Sequence, residues 1–218
     1  MTGRWDELHQ KGNYHWMTPD PAVVNLVPEL LQWNCNRILD LGCGEGRHII
    51  YLAQEGFAMY GLDISETAIL RAKKWLWQEM LDAELVNSDF LKIPYGNNFF
   101  DAVIAIKAVY HNTLDKIRQS VKEIHRVLKP GGVCFLNLIT QNAEGYGTGE
   151  MVEPNAFILD RQKEQRIIHY YFDEPGAKEL LADFKILEFE LIENTEYDEE
   201  NKSHFHSYWN ILVEKPSP

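Results

Sequence analysis

Residues 37–63 constrain the fold most, because a strand, a glycine-rich turn, a helix and a second strand follow one another within them. Residues 37–41 are an apolar run of β-branched character, which is typical of a buried parallel strand. The turn at residues 42–46 follows, and apolar residues then recur at helical spacing. A second apolar run, residues 57–62, closes on Asp63. This pattern predicts a strand–loop–helix–strand unit with an acid at the end of its second strand.

Such a unit predicts a ligand with a nucleoside at one end and an anionic group at the other. Glycines after a strand allow positive φ and a close approach of the backbone to a ligand. The N-terminus of the following helix presents unpaired N–H groups and a partial positive charge. A carboxylate about 20 residues further on can accept hydrogen bonds from both hydroxyls of a ribose.

The glycines read G-x-G-x-G, whereas a dinucleotide site has G-x-G-x-x-G, because Arg47 stands where the third glycine is expected. With Asp40 before it, this spacing resembles motif I of the class I S-adenosylmethionine (SAM) methyltransferases. The resemblance implies that Gly42 and Gly44 lie beside the methionine half of SAM, and that Asp63 binds its ribose. The alternative is a tight turn that binds nothing, but such a turn does not need the later acid.

Further segments resemble motifs of the same family, in the same order along the chain. Residues 88–90, Ser-Asp-Phe, resemble the motif in which an acid meets the adenine amino group beside an apolar residue. Residues 99–101 resemble the start of the family's fourth strand, and residues 127–132 resemble the turn before its fifth. The N-terminal tryptophans and the loop after strand five look most like the tellurite-resistance and thiopurine types of small-molecule methyltransferase.

The alternation of strands and helices predicts an α/β fold with a Rossmann-like, doubly wound, mostly parallel sheet. Two extended runs near the end, residues 184–192 and 208–213, are joined by a charged loop at 193–203 without a helix. They predict a C-terminal antiparallel hairpin at the sheet edge, which gives a seven-stranded sheet. The resemblance implies the same architecture.

Two segments are expected to cover the site within one domain that spans residues 1–218. Residues 1–36 are an N-terminal lid and helix segment, whose first 20 residues are rich in aromatic rings such as Trp16. Disordered tails are usually poor in aromatics, so these rings either pack on the domain surface or close over the cofactor. Residues 140–175 form the second segment, a substrate-loop insertion, because long connections often act as lids.

Composition restricts the partners and the compartment. The formal net charge is 21 − 33 = −12, and an acidic surface repels phosphate backbones, so nucleic acid is an unlikely substrate. No run approaches the roughly 18 apolar residues of a membrane span. The N-terminus has no apolar signal core, so we expect a cytoplasmic protein. No feature of the sequence indicates an oligomeric state.

Ligands of open α/β sheets bind beyond the carboxyl ends of the strands. Arg47 either meets the cofactor carboxylate or pairs with Glu45 or another acid, and Cys43 is either a small filler or a reactive thiol. The cysteines form no zinc pattern, so no metal site is expected. The residues expected to bind the cofactor at these strand ends are Trp16, Asp40, Gly42, Cys43, Gly44, Arg47, Asp63, Ile64, Asp89, Phe90, Lys107 and Ala108.

Methyl transfer from a sulfonium depends mainly on positioning, since the cofactor carries the activation. If a proton must leave the acceptor, His111 is the first candidate base, with an ordinary histidine pKa of about 6.5; a capping or cofactor-facing role is the alternative. His169 is the second candidate, for substrate contact, against a structural role. The segment after strand four lacks an Asn/Asp-Pro-Pro-Tyr box and a Pro-Cys pair, which argues against methylation of adenine N6, of glutamine amides or of cytosine.

These observations lead to one functional hypothesis: methyl transfer from SAM to a small-molecule acceptor by in-line displacement. A nucleotide-linked dehydrogenase is an alternative, although Arg47 in place of the third glycine speaks against it. A SAM-binding protein without turnover, which acts through partners, is the other alternative.

Overall fold

The computed structural model describes residues 2–11, 17–159, 166–197 and 203–217. The helices are α1 (Thr2–Gln10), α2 (Pro21–Gln32), α3 (Arg47–Gln54), α4 (Glu66–Glu79), α5 (Leu114–Val127) and α6 (Glu174–Leu180). The first five strands are β1 (Arg37–Leu41), β2 (Ala58–Asp63), β3 (Ala83–Asn87), β4 (Phe100–Ala105) and β5 (Leu128–Ile139). The others are β6 (Glu150–Glu153), β7 (Ala156–Ile158), β8 (Ile168–Tyr170), β9 (Lys185–Tyr197) and β10 (Ser203–Glu214).

Seven strands form the main sheet in the order β3-β2-β1-β4-β5-β10-β9. The five strands from β3 to β5 are parallel, whereas β10 is antiparallel to both β5 and β9. This arrangement confirms the predicted mostly parallel sheet with a C-terminal antiparallel hairpin. None of the helices in the described ranges is long and apolar enough to cross a membrane.

Helices cover both faces of the sheet, because successive residues of its buried strands point to opposite sides. Leu39 packs in a core cluster with Ile117 and Val121 of α5, whereas its neighbour Ile38 packs in a second cluster with residues of α2, α3 and α4. The fold is therefore doubly wound. Helix α4 is capped by Ser65, whose hydroxyl accepts a hydrogen bond from the Ala68 N–H at 3.1 Å.

The glycine-rich turn before the fifth strand is a bulge within a longer strand. Strand β5 begins at Leu128, which pairs with Phe100, and pairing resumes only between Ala102 and Val133. A Cβ on Gly132 would lie 2.9 Å from the Asp101 carbonyl oxygen, so only glycine fits this close approach. The prediction that the fifth strand starts after the turn was wrong, because the chain pairs with β4 on both sides of the bulge.

The C-terminal hairpin is longer than expected. Residues 193–197 and Ser203, which were predicted to be loop, belong to β9 and β10 and pair with each other; residues 198–202 lie outside the described residues. Tyr208 pairs with Ile139, the last residue of β5. Residues 203–207 therefore extend past the carboxyl end of β5, over the edge of the sheet where ligands of such folds bind.

Two elements have no counterpart among the predictions. Helix α1 lies within the predicted lid segment. The predicted substrate-loop insertion contains a small antiparallel sheet, in the order β6-β7-β8, and the beginning of α6. The Tyr170 N–H donates to the Tyr110 carbonyl at 2.9 Å, which joins this insertion to the segment after β4. The single-domain organisation stays a prediction.

Candidate functional site

Asp63 fixes the glycine loop to the end of β2. Its carboxylate is buried and accepts the Gly44 N–H at Oδ2 and the Ser65 N–H at Oδ1, both at 2.8 Å. Burial raises the pKa of Asp63, and the two N–H donors oppose that rise. The loop is also held by the Leu62 carbonyl, which accepts from the N–H groups of Gly42 and Cys43. The acid predicted to bind a ribose is thus also the anchor of the loop.

Gly42 lets this loop approach the segment after β4. Its φ is +76°, and a Cβ there would lie 2.7 Å from the Cβ of Ala108. Helix α3 then begins after Gly46, which is left-handed with φ of 95° and provides no side chain to cap the helix. The first N–H groups of α3 therefore keep their capacity to bind an anionic group.

A cavity of about 670 Å³ opens at this end of the sheet, which is within the usual size range of ligand pockets. It brings together most of the residues that the sequence singles out. Those lining it are Gly42, Cys43, Gly44, Arg47, Asp63, Ile64, Phe90, Lys107, Ala108, His111 and His169.

Two of the predicted acids do not line the cavity, and Trp16 lies outside the described residues. Asp40 is buried beneath the loop, with Oδ2 at 3.6 Å from Nδ1 of His48. The other nitrogen of His48 accepts the Asp20 N–H at 3.2 Å, so Nδ1 carries the proton that faces Asp40. Asp89 accepts the Leu91 N–H at 2.9 Å and stabilises the turn after β3. Binding of the cofactor by these residues stays a prediction.

Cys43 is a small residue that packs in the interior of the glycine loop. Its side chain is buried, and burial, together with the charges of Asp63 and Asp40, raises the pKa of the thiol well above its usual range. A thiol that stays protonated is a poor nucleophile. The geometry therefore favours packing over reactivity at this position.

Arg71 and His9 contact the Glu45 carboxylate at 2.6 and 3.1 Å, and the partner of Arg47 stays a prediction. Burial lowers the pKa of Arg47, and the charges of Asp20 and Asp40 oppose that shift. The guanidinium lines the cavity beside the start of α3, where it adds positive charge to that of the helix N-terminus.

Residues 38–132 match a family model described as a methyltransferase domain. An uncharacterized methyltransferase of Synechocystis sp. is 38% identical over 100 residues, which are 46% of this chain and 45% of that protein. The matched segment spans less than half the length of that relative.

Solved structures share the fold over nearly the whole chain. The 1,6-didemethyltoxoflavin-N1-methyltransferase of Burkholderia thailandensis, with its namesake compound and S-adenosylhomocysteine bound, aligns at a TM-score of 0.73 and 18% identity. The alignment covers 99% of this chain and 88% of that one. TehB from Haemophilus influenzae aligns at a TM-score of 0.71 and 18% identity, over 97% and 67% of the two chains. At this identity the likeness shows the fold alone.

The two candidate histidines, His111 and His169, meet in the cavity. The ring centroids of His111 and His169 lie 4.6 Å apart, edge to face. Burial, and then the neighbouring His169, lowers the pKa of His111 well below its ordinary value, although backbone groups of Lys107 and Ile168 oppose this shift. The site therefore shifts the pKa of His111 from the ordinary histidine value of about 6.5, because burial disfavours the imidazolium. A lowered pKa favours the neutral form of His111, which can accept a proton.

Helix α1 lies within the first 20 residues, whose rings were expected either to pack on the domain surface or to close over the cofactor, and its Trp5 and His9 line the cavity. Its Trp5 packs edge to face on His111 with ring centroids 4.9 Å apart. Asp6 holds the helix against α4 by accepting hydrogen bonds from the Ser65 hydroxyl and the Thr67 N–H, each at 2.8 Å. The only sequence signal for these roles was a short polar segment that places Trp5 and His9 one helical turn apart.

Four polar residues that line the cavity at the hairpin were not predicted from the sequence: Glu144, Glu196, His204 and His206. Nδ1 of His204 lies 3.2 Å from Glu144, and Nε2 of His206 lies 3.5 Å from Glu196. Alternation along β10 could have indicated that the two histidines share a face. The two histidines reach the cavity because residues 203–207 of the hairpin extend past the carboxyl end of β5.

We expect α1 to be a lid that the Asp6 carboxylate helps to close. Asp6→Ala removes a cap-like acceptor, whose loss typically costs about 1 kcal/mol, so S-adenosylhomocysteine should bind about fivefold more weakly. Hydrogen exchange of residues 2–11, which the ligand should slow in the wild type, should be slowed less in the variant. Glu7→Ala changes an exposed acid of the same helix and is the control. Equal protection and affinity in wild type and Asp6→Ala would contradict the lid.

Proposed function

We propose that this protein transfers a methyl group from SAM to a small-molecule acceptor. The observation that carries the proposal is the single cavity that joins the glycine loop and Asp63 to the paired imidazoles of His111 and His169. One end has the features of a nucleoside site, and the other offers a proton acceptor beside space for a second molecule. The methyltransferase domain match at residues 38–132 supports the same reading.

The residues at the cofactor end fit SAM. Gly42 and Gly44 leave the loop without side chains where the methionine half would lie, and the start of α3 with Arg47 suits its carboxylate. The Asp63 carboxylate has lone pairs beyond those used by its two N–H donors and would accept from the ribose hydroxyls. Phe90 and Ile64 line the cavity where they would pack on the adenine.

SAM supplies an activated methyl group on a sulfonium, so the chain's contribution is to hold two reactants in line and exclude water. Orientation of this kind provides about 7–11 kcal/mol in well-aligned systems. The nucleophilic atom of the acceptor forms the new bond to carbon while the carbon–sulfur bond breaks, and the sulfur keeps the electron pair. His111, neutral at physiological pH, would accept the proton that the acceptor loses.

Several features support a small-molecule acceptor over a polymer. Helix α1 and the insertion both contribute to the cavity walls, through Trp5, Leu159 and Tyr171. The net charge of −12 disfavours nucleic acid. The Burkholderia structure with the same fold holds a small heterocycle. Membership of the tellurite-resistance or thiopurine type and a cytoplasmic location are part of the proposal and rest on the sequence.

Calorimetric titration with S-adenosylhomocysteine, with NAD in a parallel titration, tests the function. We expect binding of S-adenosylhomocysteine and none of NAD, because Arg47 and the start of α3 leave no third glycine for a pyrophosphate. The reverse result would support a dehydrogenase. If S-adenosylhomocysteine binds but SAM is not consumed with any member of a broad acceptor panel, the protein is a SAM-binding protein without turnover.

A second prediction concerns the role of His111. With a hydroxyl or neutral-amine acceptor, His111→Gln should lower kcat by at least about 100-fold, the lower end of general-base effects, and leave the affinity for S-adenosylhomocysteine nearly unchanged. The wild-type rate should be flat between about pH 6.5 and 8, because His111 is already neutral there. His125→Gln, a change on α5 outside the cavity lining, is the control. A near-wild-type kcat in His111→Gln would show that His111 is not the general base, and His169 would be the next residue to test.

A further inference from the structure

The cavity extends from the cofactor end towards the tip of the C-terminal hairpin. Strands β4, β5, β10 and β9 follow one another across the sheet from β1, and the hairpin extends past the end of β5. From β4 to β10 is two strand spacings, about 10 Å. A smaller cavity of about 100 Å³ shares Lys107, Glu144 and His206 with the main one and continues it under the hairpin.

The middle of the cavity has a ring-lined wall, made of Trp5, Tyr110, His111, His169 and Tyr171. The rings contact one another at centroid distances of 4.3 Å for Tyr110 and His111, and 4.6 Å for His111 and His169. Their mutual angles of 45° and 83° present both edges and faces to the space they enclose. Such walls suit a flat ring, or a cation over a ring face.

The charges at the hairpin end of the cavity select between ligands of different sign. Glu144 and Glu196 contribute two carboxylates, and their partners His204 and His206 are half-buried imidazoles. Burial lowers the pKa of His206, which favours the neutral form of its imidazole. Lys107 is the cation that faces them from the segment after β4, and burial, with the nearby Arg47, lowers its pKa too. The balance at this end is negative and favours a cationic ligand group.

We propose that the methyl acceptor is a flat aromatic compound with a short alkylamine tail, whose nucleophilic atom faces His111 and whose protonated amino group lies between Glu144 and Glu196. The inference rests on the proposed methyl transfer and assigns its substrate class. Glu144 and Glu196 are then the specificity-determining residues, and the ring-lined wall holds the flat body of the substrate.

Three probes with the same phenol ring and short tails of different charge separate charge from shape: tyramine, 4-ethylphenol and 4-hydroxyphenylacetate. Each is titrated calorimetrically into the full chain saturated with S-adenosylhomocysteine. We expect tyramine to bind about tenfold more tightly than neutral 4-ethylphenol, because two partly solvated carboxylates attract its ammonium group. The anion 4-hydroxyphenylacetate should bind most weakly. In the double variant Glu144→Gln/Glu196→Gln the preference for tyramine should fall to about twofold or less.

Glu190→Gln is the matched control, because it removes an exposed charge from the same strand as Glu196 but outside the cavity lining. It should keep the tenfold preference. Binding of the anion as tightly as the amine, survival of the preference in the double variant, or no tyramine binding in the millimolar range would each overturn the inference. A protein that does not bind S-adenosylhomocysteine at all would instead overturn the proposed function, so the two failures are distinguishable.

Discussion

The buried carboxylate of Asp63 is the interaction on which the site depends. Burial of a charge is costly unless it is hydrogen-bonded, and Asp63 meets this requirement through the N–H groups of Gly44 and Ser65. Those two bonds join the loop after β1 to the start of α4, so one side chain sets both the shape of the glycine loop and the position of the next helix. The cofactor end of the cavity is therefore part of the same framework as the sheet.

The central sheet was predictable because its signals are local. The five-residue run at β1, the cap at Ser65 and the two extended C-terminal runs all specify their own conformation through periodicity and capping. Helix α1 was not predictable, since a nine-residue polar helix is marginal alone and is stabilised here by contacts of Asp6 with α4. The strands β6 to β8 are three or four residues long. They are stabilised by pairing with one another rather than specified by a local sequence pattern, so they could not be predicted.

Some residues of the candidate site could likewise be predicted from the sequence, and others could not. Gly42, Asp63 and Lys107 follow strand ends, and the rule that ligands bind there places them together without a structure. Glu144 and His206 reach the cavity only because the hairpin overhangs β5, which depends on the register of Tyr208 with Ile139. The lowered pKa of His111 likewise follows from burial beside His169, a contact between residues 58 positions apart in the sequence that no local pattern encodes.

The affinity of Asp63→Asn for S-adenosylhomocysteine tests the central claim most directly. Asparagine keeps the size of the side chain but removes the charged acceptor, and a hydrogen bond to a charged group contributes about 1.5–3 kcal/mol. The account predicts binding about 10- to 100-fold weaker by calorimetry, with cooperative urea unfolding retained and with no change in Asp82→Asn, an exposed control. Unchanged affinity in a folded Asp63→Asn protein would contradict the placement of the cofactor at Asp63.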